Sequence, residues 1–165
     1  MNSMSRNQNR DDRDPCNKEK KDCQAIVKCG CPSSTTLPAA TVGGTSFTLA
    51  TLTLDTSRLE NPCVKLEFAS NLVATVTFTG SLSFQVLKLC KGQLTPVPVG
   101  PAWTFDLVAL LSSSTFSFFV CDCDCCFDEC CTYTVVATVT SAATVGTLSI
   151  NNATLGAIAA CRQSC

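Results

Sequence analysis

The sequence contains no histidine, and only one tryptophan, one tyrosine and two methionines. The missing imidazole removes the Ser-His-Asp triad, the Cys-His nucleophile pair and the commonest metal-ligating ring, together with the one side chain whose unperturbed pKa lies near neutrality. Most familiar hydrolase chemistry is excluded, and no catalytic residue is assigned. Charge is also scarce, at 15% of residues balanced to a formal −1. That leaves no basic footprint for nucleic acid and no polybasic membrane patch, so neither is expected as a partner. No run approaches the ~20 apolar residues of a membrane-spanning helix. The opening MNSMSRNQNRDDRDP is polar, and no apolar h-region follows it, so a signal peptide is not expected.

Against these absences stand fourteen cysteines in 165 residues, the level of a disulfide scaffold. Disulfides persist in oxidising surroundings, which normally implies export. Either the thiols stay reduced or hold metal in a cytosol, or the protein reaches an oxidising place by another route, such as lysis of the cell that made it.

Charge is unevenly placed. Residues 1–31 hold twelve of the twenty-five charged side chains and almost no large apolar residue besides Ile26 and Val27. They read as an arm, its first fifteen residues flexible because they lack the apolar surface to offset ordering entropy. Residues 32–165 read as one domain of Thr, Ser, Val, Leu, Phe and Ala in period-two alternation, the mark of many short strands. Val64, Leu66 and Phe68 alternate with Lys65 and Glu67. Leu72, Ala74, Val76 and Phe78 alternate likewise, with Gly80 as a turn before Leu82, Phe84 and Val86, which predicts a hairpin. Further strands are predicted over residues 47–54, 103–110, 116–121, 132–140, 147–150 and 154–160. The apolar phase slips between Leu49 and Leu52, which places a bulge or bend near Ala50 and Thr51. Residues 95–101, with Pro96, Pro98 and Pro101, read as a long connection outside any sheet. About eight strands in this length point to an all-β fold, a two-sheet sandwich with a jelly roll as the specific expectation.

The densest motif is Cys121-Asp122-Cys123-Asp124-Cys125-Cys126-Phe127-Asp128-Glu129-Cys130-Cys131. Clustered thiolates can hold zinc, but C-x-C and C-C steps with interleaved carboxylates depart from the usual C-x₂₋₄-C pairs with a long spacer. No metal site or cofactor is therefore assigned. In an extended strand Cys121, Cys123 and Cys125 face one way and Asp122 and Asp124 the other. Such a segment can be bridged both within the domain and outside it. Cys63, Cys90, Cys121, Cys123, Cys125, Cys126, Cys130 and Cys131 are the candidates for bridges inside the domain. A core with nine phenylalanines does not require so many staples, so some bridges are expected between subunits. Cys16 and Cys23 in the arm are candidates to reach a neighbour, with Cys29, Cys31, Cys161 and Cys165 as candidates to receive it. Asp55, Asp122 and Asp124 read as solvated carboxylates, because a calcium loop needs more oxygen ligands at regular spacing. Trp103 and Tyr133 read as core residues rather than a sugar platform.

Residues 132–140 and 146–160 carry no charge. If these strands are central they need none. If they are edges, they lack the usual protection and invite strand addition. A contact of that kind which does not close into a ring propagates as a filament.

The runs Leu54-Asp55-Thr56-Ser57, Asn61-Pro62-Cys63-Val64-Lys65-Leu66-Glu67-Phe68, Phe84-Gln85-Val86-Leu87-Lys88-Leu89-Cys90, Phe116-Ser117-Phe118-Phe119-Val120-Cys121-Asp122-Cys123 and Cys130-Cys131-Thr132-Tyr133 resemble a cysteine-rich domain of spore-forming clostridia. A cysteine-bearing connector before a small β domain also resembles the subunits of endospore appendages, pilus-like fibres on spores. The resemblance implies jelly-roll subunits stacked by β-augmentation into helical fibres. It makes Cys16 and Cys23 the connector thiols, with Cys29 or Cys31 and Cys161 or Cys165 as their partners on earlier subunits. Appendage subunits of the best-known type carry adjacent connector cysteines, whereas here six residues separate the two. The implied function is a structural, self-assembling fibre subunit and not an enzyme. Its partners would be copies of itself and an anchor or tip protein, and its place the spore surface, reached from a mother cell that lyses. The alternatives are a cysteine-rich coat or exosporium sheet protein, or a metal-thiolate protein.

Overall fold

The computed structural model describes residues 24–109, 111–123 and 130–161. Among them are nine strands: β1 (Ile26–Cys29), β2 (Ser33–Leu37), β3 (Ser46–Asp55), β4 (Pro62–Ala74), β5 (Phe78–Cys90), β6 (Val97–Ala109), β7 (Ser112–Asp122), β8 (Cys130–Val139) and β9 (Leu148–Cys161). They form two antiparallel sheets, one in the order β1-β9-β4-β7 with β2 also paired to β9, the other β3-β8-β5-β6. The pairs β2–β9, β3–β8, β4–β7 and β5–β6 are nested within one another. They are one long antiparallel ribbon folded over, and the added pairs β4–β9 and β5–β8 close it. This is the jelly roll, one strand richer than expected because β1 and β2 share the edge beside β9.

The alternation visible in the sequence builds the core. On β4, Val64, Leu66, Phe68, Leu72 and Ala74 are buried while Lys65, Glu67 and Ala69 are exposed. On β5 and β8 the inward rows are Phe78, Leu82, Phe84, Val86 and Tyr133, Val135, Ala137, Val139. Near the β6–β7 flank the inter-sheet space holds a ring cluster. Phe84 and Phe116 have centroids 4.4 Å apart, Phe68 and Phe118 5.3 Å, and Trp103 and Phe118 5.9 Å. The expected irregularity in β3 is a register shift between Thr48 and Ala50, which leaves Leu49 and Ala50 both buried.

Several expectations are corrected. Gly80 is no turn: it lies inside β5, and β4 and β5 belong to different sheets, so the chain crosses the sandwich between them rather than making a hairpin. The tight position is Gly146 at φ +76, where a Cβ would lie 1.9 Å from the Thr77 carbonyl oxygen. The proline stretch is not a free connection, since Pro98 and Pro101 lie in β6. This is allowed because β6 is the last strand of its sheet, where a missing N–H costs no ladder bond. There the register shifts between Phe84 and Val86, and the Gln85 side-chain amide donates to the carbonyls of Val99 and Gly100 at 3.3 and 3.2 Å. The two short strands foreseen at residues 147–150 and 154–160 are a single β9, whose Asn152 at φ +54 sits at a bulge opposite Ser70. Ile26–Cys29, expected in the arm, pair with β9 in the sheet; residues 1–23 lie outside the described residues. Trp103 is 39% exposed rather than core, whereas Tyr133 is fully buried.

Candidate assembly surfaces

One end of the sandwich gathers the cysteine chemistry. Val64 pairs with Asp122 across β4 and β7, so Cys63 and Cys123 stand opposite each other one step further along. They are disulfide-bonded, with Cα atoms 4.2 Å apart. In the other sheet Cys90 and Cys131 are direct register partners on β5 and β8 and form a second bridge, Cα to Cα 4.0 Å. Each bridge staples neighbouring strands of one sheet, and both flank the β7–β8 connection. Cys161, a candidate to receive the arm, is disulfide-bonded as well. The free thiols among the described residues are Cys29, Cys31, Cys121 and Cys130, all exposed. Cys16, Cys23, Cys125, Cys126 and Cys165 lie outside the described residues.

Between the bridges a polar contact ties the sheets together. Asp122, expected to be solvated, points into the sandwich at 6% exposure. Its Oδ2 is 2.7 Å from Lys88 Nζ on β5 and accepts a hydrogen bond from Tyr133 Oη on β8 at 2.8 Å. The alternation that turns Cys121 and Cys123 outward necessarily turns Asp122 inward. That signal was in the sequence; what was missing was the knowledge that Lys88, near the end of β5, reaches the same place.

Asp55 closes β3 beside this end. Its Oδ1 accepts from the Ser57 backbone N–H at 3.0 Å. That bond and then the Ser57 side chain hold the carboxyl below the usual aspartate range against an opposing effect of desolvation, with lesser help from the charges of Arg58 and Lys28. A depressed native pKa contributes stability that is present above the ordinary value of about 3.9 and lost as the pH falls through the lower native value. Asp55→Asn should therefore lower the urea midpoint slightly at neutral pH, and the difference from the parent should vanish at the acid end of a pH series.

The outer face of the β1-β9-β4-β7 sheet carries the rows Val27–Ile158–Lys65–Cys121 and Cys29–Gly156–Glu67–Phe119. Gly156 leaves a shallow apolar groove there, lined by Val27, Ala69 and Ile158. Lys65 pairs with Glu67 at 3.4 Å and lies 5.3 Å from the centroid of the Phe119 ring, which is 58% exposed. Two exposed thiols, Cys29 and Cys121, thus share one face. Among the described residues no three His, Cys, Asp or Glu side chains are grouped to hold a metal ion, and no helix is long and apolar enough to cross a membrane.

The uncharged stretches on which edge pairing was conditional are not edges. β8 lies between β3 and β5, and β9 between β1 or β2 and β4, so they lack charge because both their neighbours are strands. The edges are β3, β6, β7 and the β1–β2 pair. β6 is guarded by Pro98, Pro101 and Asp106, and β1 is short and carries Lys28. By contrast β3 has no charge before Asp55 at its end, and β7 none before the inward Asp122. Their flanks differ: β7 packs beside β6, and β3 beside β1, β2 and β9. The two unguarded edges therefore lie on opposite sides and in different sheets.

Residues 23–160 match the profile of a family described as Domain of unknown function (DUF4489). No curated protein matches the chain. Among solved structures, that of the infectious bursal disease virus Gx strain is similar at 10% identity and a TM-score of 0.47, over 86% of this chain and 38% of that one. A family 11 carbohydrate-binding module from Clostridium thermocellum, in complex with a β-1,3-1,4-mixed-linked tetrasaccharide, is similar at 12% identity and a TM-score of 0.36. That likeness covers 82% of this chain and 84% of the module. The chain thus spans less than two fifths of the viral chain.

Proposed function

We propose that this chain, which belongs to the DUF4489 family, is a structural subunit that assembles with copies of itself into a disulfide-cross-linked helical fibre of the endospore-appendage kind. The observation that carries the reading is the pair of unguarded edges on opposite flanks, β3 and β7. Adding β7 of one copy to β3 of the next joins sheets of different type. Such a heterologous contact has no symmetry that closes it at two copies and can repeat indefinitely. Exposed thiols make the contact lockable. Cys29 or Cys31 at the start of the domain and Cys161 or Cys165 at its end are the residues that would receive the arm thiols Cys16 and Cys23 of a neighbour. The spore surface, reached by lysis of the mother cell, is the oxidising place in which such bridges persist, and an anchor or tip protein would bind at a fibre end.

Negative-stain micrographs of the purified, oxidised full chain test this. Helical fibres are expected, and boiling in detergent should release a ladder of multimers that collapses to monomer with a reductant. Flat sheets would favour a coat or exosporium layer instead, and discrete particles would remove self-assembly from the account.

A further inference from the structure

The two described disulfides differ in the way each can be approached. Cys90 and Cys131 are 6% and 8% exposed and join β5 to β8, with β3 beyond Cys131 and, beside Cys90, the turn in which Cys90 N–H donates to Gln93 Oε1 and Gln93 N–H to the Cys90 carbonyl. Cys63 and Cys123 are half-buried, and they join β4 to the end of β7, beyond which no strand lies among the described residues. Both point to the outer face of their sheet, because Val64 and Asp122 between them and their strands point inward. A cross-strand bridge lies along the direction in which strands neighbour each other. Thiol–disulfide exchange needs the nucleophile in line with the S–S bond, so a trajectory onto Cys123 Sγ comes from the open side of β7, whereas one onto Cys63 Sγ comes over β9. At Cys90–Cys131 both cysteines belong to the buried core, with β3 beyond Cys131 and the Gln93 turn beside Cys90.

We infer that the Cys63–Cys123 bridge is a thiol-exchange site whose substrate is a thiolate arriving at the free edge of β7. The incoming sulfur bonds to Cys123 Sγ, the S–S bond breaks, and Cys63 leaves as the thiolate and takes a proton from water. The incoming sulfur is oxidised and the Cys63 sulfur reduced, so no external oxidant enters the balance. One disulfide is thereby converted into a covalent link at Cys123 plus one thiol at Cys63. The thiolate can be that of a small thiol or of a cysteine on a second copy. The exchange is a property of one chain and does not rest on the fibre reading. Cys90–Cys131 is the bridge that stays closed and holds the fold while this happens.

The test uses the oxidised full chain. In one arm its accessible thiols are first blocked with iodoacetamide, which removes shuffling from Cys29, Cys31, Cys121 and Cys130. Limiting reduced glutathione is then added, the reaction is quenched in acid at intervals, new thiols are alkylated with a second reagent, and peptides are mapped. Cys63–Cys123 should open at least about tenfold faster than Cys90–Cys131, a contrast set by access, with glutathione on Cys123 and the second label on Cys63. In the other arm unblocked protein is concentrated without added thiol and mapped for cross-chain peptides. A link from Cys123 to a peptide of another copy assigns the site to a protein thiol; glutathione adducts without such links assign it to small thiols, and both outcomes support exchange. Equal opening of the two bridges, or glutathione on Cys63, overturns the inference, whatever the micrographs show of fibres.

Discussion

Asp122→Ala is expected to lower the unfolding free energy of the oxidised chain by about 3 kcal/mol, the cost typical of removing one partner from a buried ion pair. Asp122 is 6% exposed and the Lys88 side chain 12% exposed, so neither charge is well served by water. Removing the carboxylate takes from Lys88 its 2.7 Å countercharge and from Tyr133 its 2.8 Å acceptor, while the desolvation of the ammonium is still borne. These contacts run from β7 in one sheet to β5 and β8 in the other, at the end of the sandwich where the bridges only staple strands within a sheet. Their loss therefore weakens sheet-on-sheet packing, which neither disulfide restrains. Tyr133→Phe should cost only about 1 kcal/mol, that of a hydrogen bond removed with its donor. The double variant Asp122→Leu/Lys88→Met should recover much of the loss, because apolar groups of similar volume replace a buried pair with little penalty. Urea titrations give the comparison as midpoints at constant slope. Additive effects in the Asp122/Lys88 cycle would show that the pair does not couple.

How much of this could be read in advance depends on whether the signal is local. Alternation is local, so Val64, Leu66 and Phe68 were legible as an inward row, and the slip between Leu49 and Leu52 announced the register shift at Thr48 and Ala50. Strand order is not local. The uncharged residues 132–140 look the same whether they form an edge or a centre, and only the nested ribbon places them between β3 and β5. The same ignorance misplaced Pro98 and Pro101, which are excluded from a central strand but not from β6. It also hid the real edges, since Ser46 through Leu54 and Ser112 through Cys121 are equally free of charge and nothing nearby in the chain marks them as outermost. Asn151-Asn152 resembles a turn, and the left-handed Asn152 is indeed there, but as a bulge that lets β9 continue. Among the cysteines, membership in a bridge could be suspected but pairing could not. Cys63 with Cys123 and Cys90 with Cys131 are separated by 60 and 41 residues, and only the sheet register brings them opposite each other.

Lysines placed on β7 should abolish fibres without unfolding the subunit. Ser114 and Ser117 are both exposed. Ser114 pairs with the buried Leu72 and so faces the core side of an edge with little over it, while Ser117 pairs with the exposed Ala69 on the outer face. Ser114→Lys/Ser117→Lys therefore adds one inward-leaning and one outward charge, the devices that guard natural edges, at positions where no packing is lost. Thr51→Lys does the same for β3, where Thr51 is exposed opposite Thr134. Circular dichroism and urea midpoints should stay near those of the parent for both variants. The strong prediction lies in mixing them under reducing conditions, so that strand addition is tested apart from disulfides. Each variant alone has one competent edge and should remain monomeric if the contact joins β7 to β3. Together they should form heterodimers and stop, because the dimer's two outer edges are the blocked ones. Added to wild-type chains, either variant should cap growth and shorten fibres in proportion to its share. An isologous contact, β7 on β7 or β3 on β3, predicts otherwise: the variant blocked on the unused edge would dimerise alone, and mixing would add nothing. Sedimentation of the single and mixed variants separates these cases, and a β7 variant whose fibres match the parent's in length would take strand addition at β7 out of the assembly.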